Sequence, residues 1–156
     1  MNIDRDLLLE TVRLAEQARA DGNHPFGALL TDAGGKILLS SGNTHSTHGG
    51  TGHAELNVAR AASARYTPDF LEVCSLYTSI EPCSMCAGGV YWAGIGRLVY
   101  GVSEARLLEL TGDNPENLTM SLPCRTVLGA GQRDVTVEGP FPDLEERIVQ
   151  SHQGFW

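Results

Sequence analysis

Positive charge is scarce in this chain of 156 residues: 11 Lys and Arg stand against 19 Asp and Glu, a formal net charge of −8. Phosphate backbones reward positive patches, so this balance argues against a large nucleic-acid footprint while leaving room for a local basic groove. No apolar run approaches the roughly 20 residues of a membrane-spanning helix. The start, MNIDRDLLLE, is acidic and amphipathic and lacks the basic opening and unbroken apolar stretch of a signal peptide, so a cytoplasmic location is expected. There is no internal repeat, low-complexity tract or linker, which leaves a single domain over 1–156 as the expectation. Cysteine is sparse too. Four of them in a cytosolic setting suit metal ligands or buried thiols better than disulfides. A domain of this length buries roughly 70% of its unfolded surface and needs no disulfide framework.

Hydrophobic content of 42% is ordinary for a globular protein, and its periodicity places the elements. Residues 4–20 read as a helix, with Leu8, Val12, Ala15 and Arg19 on one face and Leu7, Leu14 and Ala18 beside it. Apolar runs at 26–31 and 36–40, joined by Asp32-Ala33-Gly34-Gly35, read as a hairpin. A polar loop at 42–52 follows, of the kind where ligand contacts often sit. Residues 54–65 read as a helix with His53 at its start, 75–80 as a strand, and 83–94 as a helix behind Pro82. A strand at 97–101 and a short helix at 104–110 come next. The segment to Pro123 reads as irregular, Val127 and 135–138 as strand material, and 143–151 as a final helix. Strands alternating with helices after a hairpin predict an α/β layered domain with a mixed sheet.

Two short clusters about thirty residues apart carry the chemistry: HAELN at 53–57 and EPCSMCAG at 81–88. Catalytic zinc takes three protein ligands and leaves a fourth, tetrahedral position to water. Cys83 and Cys86, spaced C-x-x-C, reach one ion from the first turn of a helix whose positive end favours thiolates. His53 supplies a third, neutral ligand, and no fourth fits the pattern, so one Zn2+ per chain with an open position is expected. Glu55, two residues beyond His53, lies beside such an ion without binding it. There it can take a proton from water, deliver one to a ring nitrogen and help ammonia leave. H-x-E followed by P-C-x-x-C is the arrangement of zinc deaminases. Either motif alone is weak, since a redox pair or two buried thiols also read C-x-x-C; together, in this order and at two helix starts, they are specific. Cys74 reads as core, Cys124 has no metal partner at useful spacing, and His24 and His152 read as packing. His45 and His48 sit in the loop before the motif, within reach of a pocket.

On these motifs the sequence resembles the cytidine deaminase superfamily, and within it the small bacterial guanine deaminases and related nucleoside deaminases. The resemblance covers nearly the whole chain: PFGALL, Gly42-Asn43, HAELN, LYTSIEPCSMCAGGVYWA, RLVYG and the aromatic end HQGFW. It implies a three-layer α/β/α sandwich around a five-stranded mixed sheet, and a homodimer. It also implies substrate contacts at Phe26, Asn43, the backbone of Ala54, and Trp92. In small guanine deaminases a C-terminal segment closes the site, in some cases that of a swapped partner, and Phe155 and Trp156 fit that use. Those enzymes also place a substrate-contacting carboxylate after the last core strands, for which Asp113 is the first candidate and Glu116 the second. Read without the resemblance, Asn43 equally caps a turn, Phe26 and Trp92 are ordinary core, Trp156 anchors a terminal helix, and Asp113 and Glu116 belong to strong turn chemistry.

The function expected is hydrolysis of an exocyclic amine of a nucleobase, guanine first, or of a nucleoside, to a carbonyl with release of ammonia. Cytosine, cytidine and guanosine are close variants. A tRNA adenosine deaminase shares the motifs, but the net charge and the lack of a basic helix in DLEERIVQSHQGFW count against it. A non-catalytic zinc-stabilised binding protein would be expected to lose the proton carrier, and Glu55 is present.

Overall fold

A computed structural model of the chain describes residues 2–156. It opens with helix α1 (Ile3–Ala20), capped by Asn2, whose side-chain oxygen accepts the N–H groups of Asp4 and Arg5 at 3.0 and 3.3 Å. Asp4 and Asp6 in the first turn and Arg19 in the last complement the helix dipole. The buried stripe is Leu7, Leu8, Thr11, Val12, Ala15 and Ala18. Arg19 departs from the predicted face by turning to the C-terminal tail, where it donates to the carbonyls of Ser151 and Gln153.

Strands β1 (Gly27–Thr31) and β2 (Ile37–Gly42) form the expected hairpin. Helix α1 lies so close to β1 that a Cβ on Gly27 would stand 2.2 Å from the Thr11 carbonyl oxygen. The polar loop is more ordered than its composition suggests, holding helix α2 (His45–His48) and a 3-10 turn at Gly49–Thr51. Then come α3 (Ala54–Arg65), α4 (Pro68–Leu71), β3 (Ser75–Ile80), α5 (Ser84–Ala93), β4 (Arg97–Val102) and α6 (Glu104–Thr111). The chain ends with α7 (Cys124–Gly129), β5 (Thr136–Glu138), a 3-10 turn at Pro142–Leu144, and α8 (Glu145–Gln150). The strand expectation at Val127 is corrected by α7. Cys124 and Leu128, four apart on one helical face, are buried together against α5, and that packing outweighs one β-branched residue. Helix α4 was not foreseen, although Thr67 caps it and proline starts it.

The sheet runs β2-β1-β3-β4-β5, with β1 antiparallel to both neighbours and β3, β4 and β5 mutually parallel. The pleat divides its side chains between two helical layers. The rung Leu29–Tyr77–Val99 meets Leu7 and Leu8 of α1. The rungs Leu30–Leu76–Leu98 and Ala28–Thr78–Tyr100 face α3 and α5. Ile148 of α8 packs with Val12, Ile80, Val102 and Leu107 on the α1 side. This is the three-layer α/β/α sandwich expected. The carboxyl ends of β3 and β4 and the loop after β2 meet around one crevice, the place where parallel α/β sheets hold ligands. Among the described residues, no helix is long and apolar enough to cross a membrane.

Candidate metal centre and pocket

His53 and Cys83 are both helix N-caps, with extended backbones (φ, ψ of −82°, 140° and −66°, 174°), so α3 and α5 each begin one residue later. Cys86 lies in the first turn of α5 and is fully buried. His53 Nδ1 is 3.5 Å from Cys83 Sγ and 3.4 Å from Cys86 Sγ. A tetrahedral zinc, with Zn–S of about 2.3 Å and Zn–N of about 2.0–2.1 Å, requires N···S separations of about 3.6 Å. The three donors therefore fit three corners of such an ion. Their electrostatics agree. The Cys86 thiol donates to Cys83 and, with His53 helping against burial, holds Cys83 down to about 4. Cys86 is pushed up in return, first by Cys83 and then by burial.

Glu55, in the first turn of α3, is only 5% exposed. Burial pushes its carboxyl up to about 7; His53 opposes that and Cys83 adds to it. The Thr78 hydroxyl lies 3.2 Å from Glu55 Oε1 and 2.9 Å from the Ile80 carbonyl, so strand β3 orients the carboxyl from behind. Glu81, at the end of β3, accepts the N–H of Glu104 at 3.2 Å and the N–H of Cys124 at 2.9 Å. It thereby ties the starts of α6 and α7 to the crevice. Glu104 faces the crevice too, and burial, followed by Cys83 and Glu81, pushes its carboxyl up to about 8.

Together with His24, Phe26 and Asn43, these groups wall an inner cavity of about 50 Å³. It adjoins an outer one of about 280 Å³, edged by His45 and by Glu116, Asn117 and Thr119 of the irregular segment after α6. One ordered water needs roughly 10–15 Å³ on this scale, so the inner cavity suits a few waters or one small planar ring. Neither cavity has a Lys or Arg in its walls.

The residues singled out from sequence divide by place. His53, Glu55, Cys83, Phe26 and Asn43 wall the inner cavity, and Cys86 stands behind it within reach of His53 Nδ1. Ala54 is buried between His53 and Glu55, and its N–H, first in α3, has no intrahelical acceptor. Asn43 caps a turn and faces the cavity at once. Its Oδ1 accepts the His45 N–H at 2.8 Å, leaving the amide N–H group for the cavity.

Trp92 is a correction: it is 79% exposed and absent from both cavities. Cys86, Val90 and Ala93 take the buried face of α5, and residue 92, two positions from Val90, turns outward to lie edge-on to Tyr91. Asp113 is a second correction. It is exposed after Gly112 (φ +73°), and the Asn114–Asn117 turn brings Glu116 to the outer cavity instead. Trp156 does not enter either cavity. It braces the wall from behind, with ring centroids 5.2 Å from His24 and 6.2 Å from Phe26. The tail docks on its own chain through Arg19, which also lies over the Phe155 ring.

His24 is a wall residue that sequence reasoning missed. It is buried, stacked on His45 and hydrogen-bonded through Nε2 to Glu116 at 3.0 Å. His48 bonds to Thr44 and stays outside. Glu104 was missed as well, although its place just after a parallel strand is a usable signal. Asn117 and Thr119 carry no sequence signal. Cys74 and Cys124 are buried and belong to the core, away from the donor set.

Residues 1–102 match the family described as the cytidine and deoxycytidylate deaminase zinc-binding region. A probable cytosine deaminase of Schizosaccharomyces pombe is 36% identical over 155 residues, spanning 98% of this chain and 93% of its own. The guanine deaminase of Bacillus subtilis is 32% identical over 114 residues, 73% of each chain. The solved structure of a guanine deaminase from Bacillus subtilis superimposes with a TM-score of 0.61 at 26% identity, covering 100% of this chain and 96% of that one. The resemblance read from the motifs is borne out.

Proposed function

The chain belongs to the cytidine and deoxycytidylate deaminase family, whose members are zinc-dependent deaminases, and from that premise we propose that it hydrolyses the amine of a free pyrimidine base of the cytosine type. The observation that carries this reading is the inner cavity: small, walled by Glu55, His53 and Cys83, and without a Lys or Arg. A phosphate or polynucleotide finds no Lys or Arg there to neutralise it. The whole-length similarity to a probable cytosine deaminase supports the same base.

A zinc ion held by His53, Cys83 and Cys86 would supply an acidified water as nucleophile. Glu55 would hold the proton that moves between the attacking water and the ring nitrogen beside the amine-bearing carbon. Its raised carboxyl suits it to both directions near neutral pH. Thr78 keeps the carboxyl aimed. The amide N–H group of Asn43 donates to the ring carbonyl, since its oxygen is already committed to His45. Phe26 closes one side of the ring, and the His24–Trp156 contact backs that wall against water.

Guanine is the second reading, because the outer cavity adjoins the inner one and gives a fused ring somewhere to extend. The test is ammonia release by zinc-loaded protein on cytosine, guanine, cytidine, guanosine and a tRNA anticodon stem, with Glu55→Gln alongside. Cytosine is expected to be turned over best, and Glu55→Gln to lose roughly 10²-fold or more while keeping its zinc. Guanine alone would select the second reading. Turnover of only nucleosides or the tRNA stem would overturn both.

A further inference from the structure

Four acidic side chains stand in the walls of the two cavities, and three are already engaged. Glu55 meets the Thr78 hydroxyl, Glu81 accepts two backbone N–H groups, and Glu116 holds His24. Glu104 has no side-chain hydrogen bond among the described residues, and its Oε2 is buried without any partner. Buried polar atoms are almost always satisfied, so an unpaired one in a ligand cavity marks an atom that a ligand satisfies. The side chain is also well placed to stay there. Its own N–H is fastened to Glu81, and Ser103 caps the helix it begins.

The polar inventory of a cytosine ring shows which ligand atom is left over. The amine departs, the neighbouring ring nitrogen receives the proton from Glu55, and the ring carbonyl takes the Asn43 N–H group. The remaining polar group is the ring N–H, a donor, and the remaining pocket group is an unpaired acceptor. A carboxyl accepts an N–H in either protonation state. Resting on the free-pyrimidine reading above, we propose that Glu104 is a specificity-determining residue that accepts the ring N–H of the base, the hydrogen that ribose replaces in a nucleoside. Because Glu104 stands in the walls of both cavities, it also borders the space into which a ribose would project.

The experiment compares cytosine with 1-methylcytosine, which lacks only that N–H, on zinc-loaded wild type, Glu104→Gln and Glu104→Ala. Zinc content and melting temperature are measured on each protein. Wild type is expected to favour cytosine by roughly tenfold or more in kcat/KM, because removing a donor strands a buried acceptor. Glu104→Ala should lose a similar factor on cytosine, mostly through KM, and Glu104→Gln, whose amide oxygen still accepts the ring N–H, should lose less. The preference over the methylated base should shrink toward unity in Glu104→Ala and be partly kept in Glu104→Gln. A general structural defect would lower both substrates together and leave their ratio unchanged. Wild-type turnover of cytosine with the same ratio in all three proteins overturns the role of Glu104 alone. Wild-type inactivity on cytosine overturns the free-pyrimidine reading and this role with it.

Discussion

Acid should loosen this protein through one histidine. His152 is 2% exposed, and its Nδ1 accepts the Trp156 indole N–H at 3.1 Å, which requires a neutral ring. Its Nε2 is buried without a partner. Protonation would break the Trp156 bond and bury a cation, so burial, with Arg19 second, lowers its pKa from 6.5 to about 4. A histidine depressed in the folded state favours folding fully above its unfolded value. That contribution is lost as pH falls through 6.5 toward 4. The whole shift corresponds to about 3 kcal/mol, of which about 2 kcal/mol has gone by pH 5.

His152→Phe keeps a ring against Phe26 but cannot titrate. At pH 7.5 the variant should be about 1 kcal/mol less stable, because the Trp156 N–H loses its acceptor. Between pH 7.5 and 5 it should then lose about 2 kcal/mol less than wild type, so that the two stability curves cross between pH 5 and 6. Urea unfolding at several pH values, followed by tryptophan fluorescence, reads this directly. Because the remaining titrating groups are common to both proteins, the difference isolates His152. Parallel curves would refute the buried neutral ring.

Two further outcomes are expected. A Cβ on Gly96 would lie 1.8 Å from the Glu72 carbonyl oxygen, whereas one on Gly88, in the middle of α5, meets nothing within 4 Å. Gly96→Ala should therefore destabilise by about 2–3 kcal/mol and Gly88→Ala stabilise by up to about 1 kcal/mol in chemical unfolding; equal effects would discredit the close packing before β4. Metal removal is the other. At a hundredfold excess over its Kd, zinc should stabilise the fold by about 2.7 kcal/mol, seen as a rise in Tm of chelator-treated protein on adding zinc back. His53→Ala should show little of that rise, and an equal rise would place the zinc elsewhere.

Most elements were legible because their signals are local. The alternation of the hairpin, the stripe of α1 and the starts of α3 and α5 need only neighbouring residues. The exceptions are residues whose state depends on distant partners. Residues 124–129 became a helix because α5 offers a surface to Cys124 and Leu128. Arg19 left its helical face for carbonyls more than 130 residues away.

Within the site, the sequence by itself determined the candidate metal donors and the carboxyl proposed as proton carrier. Zinc and its water demand a few residue types at short spacing, and two helix starts, readable from sequence, present them. Tertiary structure decided which side chains line the cavity. Only folding shows that Asn43 spends its oxygen on His45, that Glu104 and Glu116 face the cavities while Asp113 does not, and that Trp92 points outward. It also decided that Trp156 backs His24 without entering the cavity. The physical reason is range. Coordination chemistry and helix capping act over a few residues of sequence, whereas cavity shape and the pairing of buried polar groups depend on segments that meet only once the sheet is covered on both faces.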